Sequence, residues 1–167
     1  MKNSIKIINT GGTFNKTYNS ITGILEVSKD SFAIEDILNN LYKTNKKPQI
    51  ESIIYKDSLD IDNSDREILL QKIQNTKEKK IIIVHGTDTM DKTAKYIDKK
   101  ITNKKIVLIG AMKPYNYEKV EASSNLAMAI GFLSSNIKNN TYICMNGIVK
   151  KYNKIRKNYD LGVFECR

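Results

Sequence analysis

The sequence predicts an α/β fold, a three-layer open sheet of mainly parallel strands, on three observations. Short apolar runs rich in β-branched residues alternate along the chain with segments whose apolar residues recur at helical spacing. Several of the strand-like runs end in polar, glycine-bearing strings, the place where open α/β sheets bind ligands. No run approaches the roughly 20 apolar residues that a membrane-spanning helix needs. Strands that alternate with helices are covered on both faces, which implies a parallel sheet between two helical layers.

Taken in order, Ile5 to Ile8 forms a first strand that ends at Thr10-Gly11-Gly12-Thr13. The polar stretch from Phe14 to Gly23 exceeds the about two to six residues usual between a strand and its helix. It reads as a lid or hairpin over a site, with a weaker strand from Gly23 to Val27 as part of it. Phe32, Ile34, Ile37, Leu38 and Leu41 share one helical stripe that starts after Asp30 or Ser31. A second strand, Ile50 to Tyr55, leads to Asp57-Ser58-Leu59-Asp60. Ser64-Asp65-Arg66-Glu67 has the form of a capping box, and Ile68, Leu69, Lys72 and Ile73 follow at helical spacing. Strand Ile81 to Val84 runs into His85-Gly86-Thr87-Asp88-Thr89 and a helix from Met90 to Lys99. Strand Ile106 to Ile109 ends at Gly110-Ala111-Met112-Lys113-Pro114 and precedes a helix from Ala122 to Leu133. Tyr142 to Met145 is the fifth strand.

At 167 residues the chain is long enough for one domain with a full core, expected over 1–167. The formal charge of +10 invites a nucleic-acid partner, because a basic field attracts phosphate. The excess is nearly all lysine, spread along the chain and mixed with asparagine, whereas arginine is the better fork for phosphate. Its densest stretch, Lys150 to Lys157, reads as a solvated surface, and nucleic acid is not expected as a partner. Cys144 and Cys166 belong to no Cys-x-x-Cys pair, and the lone His85 cannot complete a zinc site with them. Reduced thiols, a cytoplasmic location, and neither metal nor membrane are expected.

The strings carry chemistry. Adjacent glycines in Thr10-Gly11-Gly12-Thr13 let the backbone turn sharply and present Thr13 at the mouth of a crevice. The alternative is a tight turn or phosphate cradle without chemistry; a dinucleotide fingerprint is excluded by the missing third glycine and ribose acid. Thr87 and Asp88 fall where a helix start leaves backbone N–H groups free, and Asp88 could equally cap that helix.

Together the strings resemble the type I, bacterial-type L-asparaginase family. The matches are Thr10-Gly11-Gly12-Thr13, Asp57-Ser58-Leu59-Asp60, His85-Gly86-Thr87-Asp88-Thr89-Met90, Gly110-Ala111-Met112-Lys113-Pro114, Met145-Asn146-Gly147 and Arg156-Lys157-Asn158 before Phe164. They stand in the family's order and span its amino-terminal domain; the carboxy-terminal domain is expected to be absent. The resemblance implies an asparaginase amino-terminal-domain-like sheet and an amidohydrolase that cleaves a small amino-acid amide, L-asparagine first, through a threonine acyl-enzyme and without a cofactor. It implies Thr13 as nucleophile, with Thr87, Asp88 and Lys157 as a second catalytic group. Gly12, Ser58, Asp88 and Ala111 are implied at the substrate, and Leu59 stands where the family usually has glutamine. Tyr18 is expected to serve as the lid tyrosine. The family's second-domain glutamate has no counterpart, and Glu118, Glu121, Glu165 or a neighbouring copy would have to replace it in a homo-oligomer. The alternative reading is a catalytically weak amino-acid-binding module of the same fold.

Overall fold

Strand β1, Ile5–Gly11, lies inside a six-stranded sheet in a computed structural model that describes residues 4–43 and 47–167. Strands β2 (Lys16–Asn19) and β3 (Ile24–Val27) pair antiparallel as a separate hairpin, as the long polar stretch suggested. The chain continues through helix α1 (Phe32–Leu41), β4 (Gln49–Lys56), α2 (Asn63–Asn75), β5 (Lys80–Val84) and α3 (Met90–Asp98). It then runs through β6 (Lys105–Ile109), α4 (Lys119–Ser134), β7 (Asn140–Met145) and β8 (Ile148–Lys151). A second hairpin, β9 (Ile155–Asn158) and β10 (Val163–Cys166), ends the chain.

The sheet order is β4-β1-β5-β6-β7-β8, with the first five strands parallel and β8 antiparallel to β7. Alternation along each strand divides the core. Ile7, Ile82, Val84, Val107, Ile109 and Cys144 face α1 and α4, with Ile34, Leu38, Leu126 and Leu133 against them. Ile8, Ile81, Ile83, Ile106, Leu108, Ile143 and Met145 face α2 and α3, with Leu69, Ile73, Met90 and Ile97. This is the predicted three-layer arrangement, and each fully buried isoleucine contributes roughly 2 kcal/mol of apolar transfer.

Two local readings need correction. The cap of helix α2 lies two residues before the predicted one: Asp62, not Ser64, is the N-cap, and its carboxylate accepts from the Asp65 N–H at 3.0 Å. Asp65 returns the contact to the Asp62 N–H at 3.0 Å, and Ser64 instead donates to Asp62 at 2.6 Å. A carboxylate two positions earlier supplies the stronger acceptor. Strands β8, β9 and β10 also escaped the apolar reading. Asn146 and Gly147 hold φ of 50° and 78°, which closes the β7–β8 hairpin in two residues. Lys150 and Lys151 are exposed on edge strand β8, where charge discourages further strand pairing.

Among the described residues no helix is long and apolar enough to cross a membrane. Both cysteines are free thiols, Cys144 buried and Cys166 exposed.

Candidate active site

Because β4, β1, β5 and β6 are parallel neighbours, their carboxyl ends open on one edge of the sheet. They deliver Ser58, Gly12 with Thr13, Thr87 with Asp88, and Ala111 to that edge in spatial order. Chain order reverses at β1: α1 packs on one face on the way to β4, and α2 on the other on the way to β5. A crevice at such a reversal is the binding position of open α/β sheets.

Backbone contact brings the turns together. Gly12 has φ +80°, and a Cβ there would lie 2.4 Å from both Cα and N of Gly86. A Cβ on Gly86 would in turn lie 2.7 Å from Ser58 Cβ and Oγ. Only glycine permits these approaches. The residues immediately before Thr13 and Thr87 therefore touch. Two polar ties add to this: Thr10 Oγ1 donates to the Val84 carbonyl at 2.8 Å, and Lys16 pairs with Asp57 at 2.6 Å. Burial pushes the Asp57 carboxyl up, but Lys16 and backbone N–H groups outweigh it and hold the group below its usual range.

Thr13 is half-buried in a short 3₁₀ turn, Thr13–Asn15. Ser58 is fully buried; its Oγ accepts from the Asp88 N–H at 3.2 Å and its carbonyl from Thr89 Oγ1 at 2.7 Å. Asp88 is not a helix cap. Thr89 is the N-cap residue of α3 and makes no side-chain cap bond. The Asp88 carboxylate instead meets Lys157 Nζ at 2.7 Å, and the same amine donates to Thr87 Oγ1 at 2.9 Å.

Why Lys157 turns inward follows from strand alternation. Ile155, Lys157 and Lys157's register partner Phe164 share one face of the β9–β10 hairpin, and Ile155 and Phe164 are buried in the α3-side core. Arg156 and its register partner Glu165 point the other way and pair with each other at 2.8 Å. The Lys157 side chain is 10% exposed, so the basic run splits: one lysine belongs to the interior and its neighbours to solvent.

The His85 ring is wholly buried, and its Nδ1 lies 2.7 Å from the Gly86 carbonyl. Because the peptide is planar and trans, a carbonyl held inward aims the Thr87 N–H outward. Desolvation lowers the imidazole to about 4, so the ring stays neutral and donates through Nδ1.

Ala111 is buried at the end of β6, where Gly110 lets the His85 carbonyl approach. Tyr18 lies on β2 opposite Leu25 and is 58% exposed; among the described residues no hydrogen bond joins it to Thr13. The three glutamates all have other partners. Glu118 caps α4, Glu121 accepts from the Met112 and Lys113 N–H groups, and Glu165 holds Arg156 and Asn158. A cavity of about 140 Å³ lies behind the β2 hairpin, lined by Phe14, Asn15, Asp30 and Tyr115 among others, and Thr13, Thr87, Asp88 and Lys157 do not line it. The sequence reading missed Tyr159, whose phenol donates to the Asp88 carbonyl at 2.8 Å. Its only signal was its place two residues after Lys157.

Comparison with known proteins bears on the family and the fold. The family described as "Asparaginase, N-terminal" matches residues 4–162. A glutaminase-asparaginase of Acinetobacter glutaminasificans is 30% identical over 81% of this chain and 43% of its own length. L-asparaginase 2 of Bacillus subtilis is 26% identical over 76% of this chain and 36% of its own. The chain thus spans about two-fifths of these relatives. Among solved structures, the thermostable L-asparaginase from Thermococcus kodakarensis superposes with a TM-score of 0.84 at 22% identity, over 98% of this chain and 51% of that one. The probable cytoplasmic L-asparaginase from Campylobacter jejuni gives 0.78 at 24% identity, over 98% and 52%. These likenesses establish the shared fold. With the match running nearly end to end and the strand-end turns meeting at one edge of that fold, the chain belongs to the asparaginase family and carries its N-terminal domain.

Proposed function

We propose that this domain hydrolyses the side-chain amide of a small amino acid, L-asparagine first, through an acyl-enzyme on Thr13. The observation that carries the reading is the single amine of Lys157, bonded at once to Thr87 Oγ1 and Asp88 Oδ1 beside the turn that bears Thr13.

In the first step Thr13 Oγ bonds to the amide carbon as its proton passes to Thr87 Oγ1, whose own proton moves to Lys157 acting as the neutral amine. A hydroxyl placed between the crevice and a neutral amine takes a proton from one side as it gives one to the other, so the pair forms a proton wire. The Thr87 N–H, aimed outward by His85, meets the carbonyl oxygen as negative charge develops on it. The carbon–nitrogen bond breaks and the nitrogen leaves as ammonia with the returned proton. Water then attacks the ester carbon, the carboxylic acid departs, and Thr13 regains its proton.

Recognition rests on charge. Asp88 Oδ1 is occupied by Lys157, which leaves Oδ2 for a substrate ammonium. Ser58, Gly12 and Ala111 line the α-carboxylate and amide ends, and Tyr18 closes from the hairpin above. Leu59, 73% exposed next to Ser58, gives this rim an apolar contact. We assign the working unit to a homo-oligomer, in which Ile21, Val120 and Leu161, at 94%, 71% and 70% exposure, find cover.

Ammonia release from L-asparagine tests the reading. Thr13→Ala is expected to lose more than ~10²-fold in kcat/KM. Equal rates in the two proteins would overturn catalysis and leave an amino-acid-binding module.

A further inference from the structure

Tyr159 stands in the β9–β10 turn and is 66% exposed, yet it makes two contacts with the site. Its phenol donates to the Asp88 carbonyl at 2.8 Å, and its ring centroid lies 5.2 Å from Lys157 Nζ. Burial and the charges of Asp91 and Asp88 push the phenol up from its ordinary value, which keeps it a donor at neutral pH. The turn is braced from below: Asn158 Oδ1 accepts from the N–H groups of Asp160 and Leu161 at 3.1 and 3.2 Å, and its carbonyl accepts from the Gly162 N–H at 2.9 Å.

Once it has taken up the proton from Thr87, the Lys157 amine is an ammonium with three donors. Lys157 spends two on Thr87 and Asp88, and the aromatic ring lies within the distance at which its electron-rich face attracts a cation. The hairpin itself is a surface element, joined to the body through Ile155 and Phe164 on its inner face. Without a tie at its tip, the lysine could swing away from the two groups it meets.

We propose that Tyr159 is a positioning residue: its hydroxyl pins the hairpin tip to the turn that carries Asp88, and its ring closes the open side of the Lys157 amine. The proposal rests on the reading of Lys157 as part of the proton wire.

The test compares the full chain with Tyr159→Phe and Tyr159→Ala by brief trinitrobenzenesulfonate labelling and peptide mass mapping. Lys104, buried at 4% exposure and bonded to the Thr76 and Glu78 carbonyls, is the internal reference for global opening. The ratio of Lys157 to Lys104 labelling should rise about fivefold or more in Tyr159→Ala and by a smaller factor in Tyr159→Phe, which loses the tie but keeps the ring. With L-asparagine, kcat should fall about fivefold in Tyr159→Phe and further in Tyr159→Ala, with KM within about twofold of the parent. An unchanged labelling ratio in Tyr159→Ala, or a raised ratio with unchanged kcat, overturns the proposal. Absence of turnover in the parent overturns the reading of the site instead, and the labelling ratio alone then decides whether Tyr159 holds the amine.

Discussion

Lys157 shows how one side chain acquires contacts that its neighbours lack. Five basic residues lie between Lys150 and Lys157, and only strand alternation distinguishes the one whose amine reaches Thr87 and Asp88. His85 is another such case. Its neighbours offer one carbonyl, to Nδ1, and leave Nε2 without a partner, so protonation is opposed by burial. The imidazole is lowered from 6.5 to about 4 in the folded chain. Between those two values the unfolded chain binds a proton that the native chain does not, so stability rises with pH across the window and is lost on acidification. The loss amounts to on the order of 3 kcal/mol when complete. Urea midpoints at pH 7 and pH 4 check this: His85→Gln, which keeps a donor for Gly86, should lose less than the parent. Equal losses would assign the acid sensitivity to carboxylates alone.

At the scale of elements, the strands and helices of the sheet were legible because burial on two faces leaves strong apolar periodicity. The five parallel strands fall within one or two residues of their apolar runs, except at β1, which extends three residues past Ile8 to Gly11. The start of α2 was misread because Ser64 and Glu67 fit a capping pattern that Asp62 and Asp65 satisfy two residues earlier. Asp62→Ala should therefore lower Tm by about 3 °C, and Ser64→Ala by less than half of that. Thermal scans with the reverse ranking would restore Ser64 as the cap. The β9–β10 hairpin was illegible for a different reason. Its strands are four residues each, with only Ile155 and Phe164 buried, and this is too short a pattern to separate from a solvated loop. Its inward lysine and its tyrosine were hidden with it. The glycines gave the opposite lesson: Gly12 and Gly86 advertised a close approach, and each would place a Cβ within 2.7 Å of the next turn.

Across the whole molecule, the site is a consequence of topology. Parallel strands put four chain-distant turns on one edge, the glycines let those turns touch, and a hairpin from the far end of the chain supplies the amine. The resemblance in the strand-end strings identified Thr13, Ser58, Thr87, Asp88 and Ala111 as one constellation. Only coordinates give the bond from Lys157 to two of them. The proposed mechanism requires Thr87 and Lys157 to act as one unit. A cycle of Thr87→Val, Lys157→Met and the double variant, read as kcat for ammonia release from L-asparagine, measures it directly. Each single change should lower kcat by about 10²-fold or more, and the double variant should fall little further. Losses that multiply in the double variant would mean that the two groups work independently, and would contradict the shared proton wire.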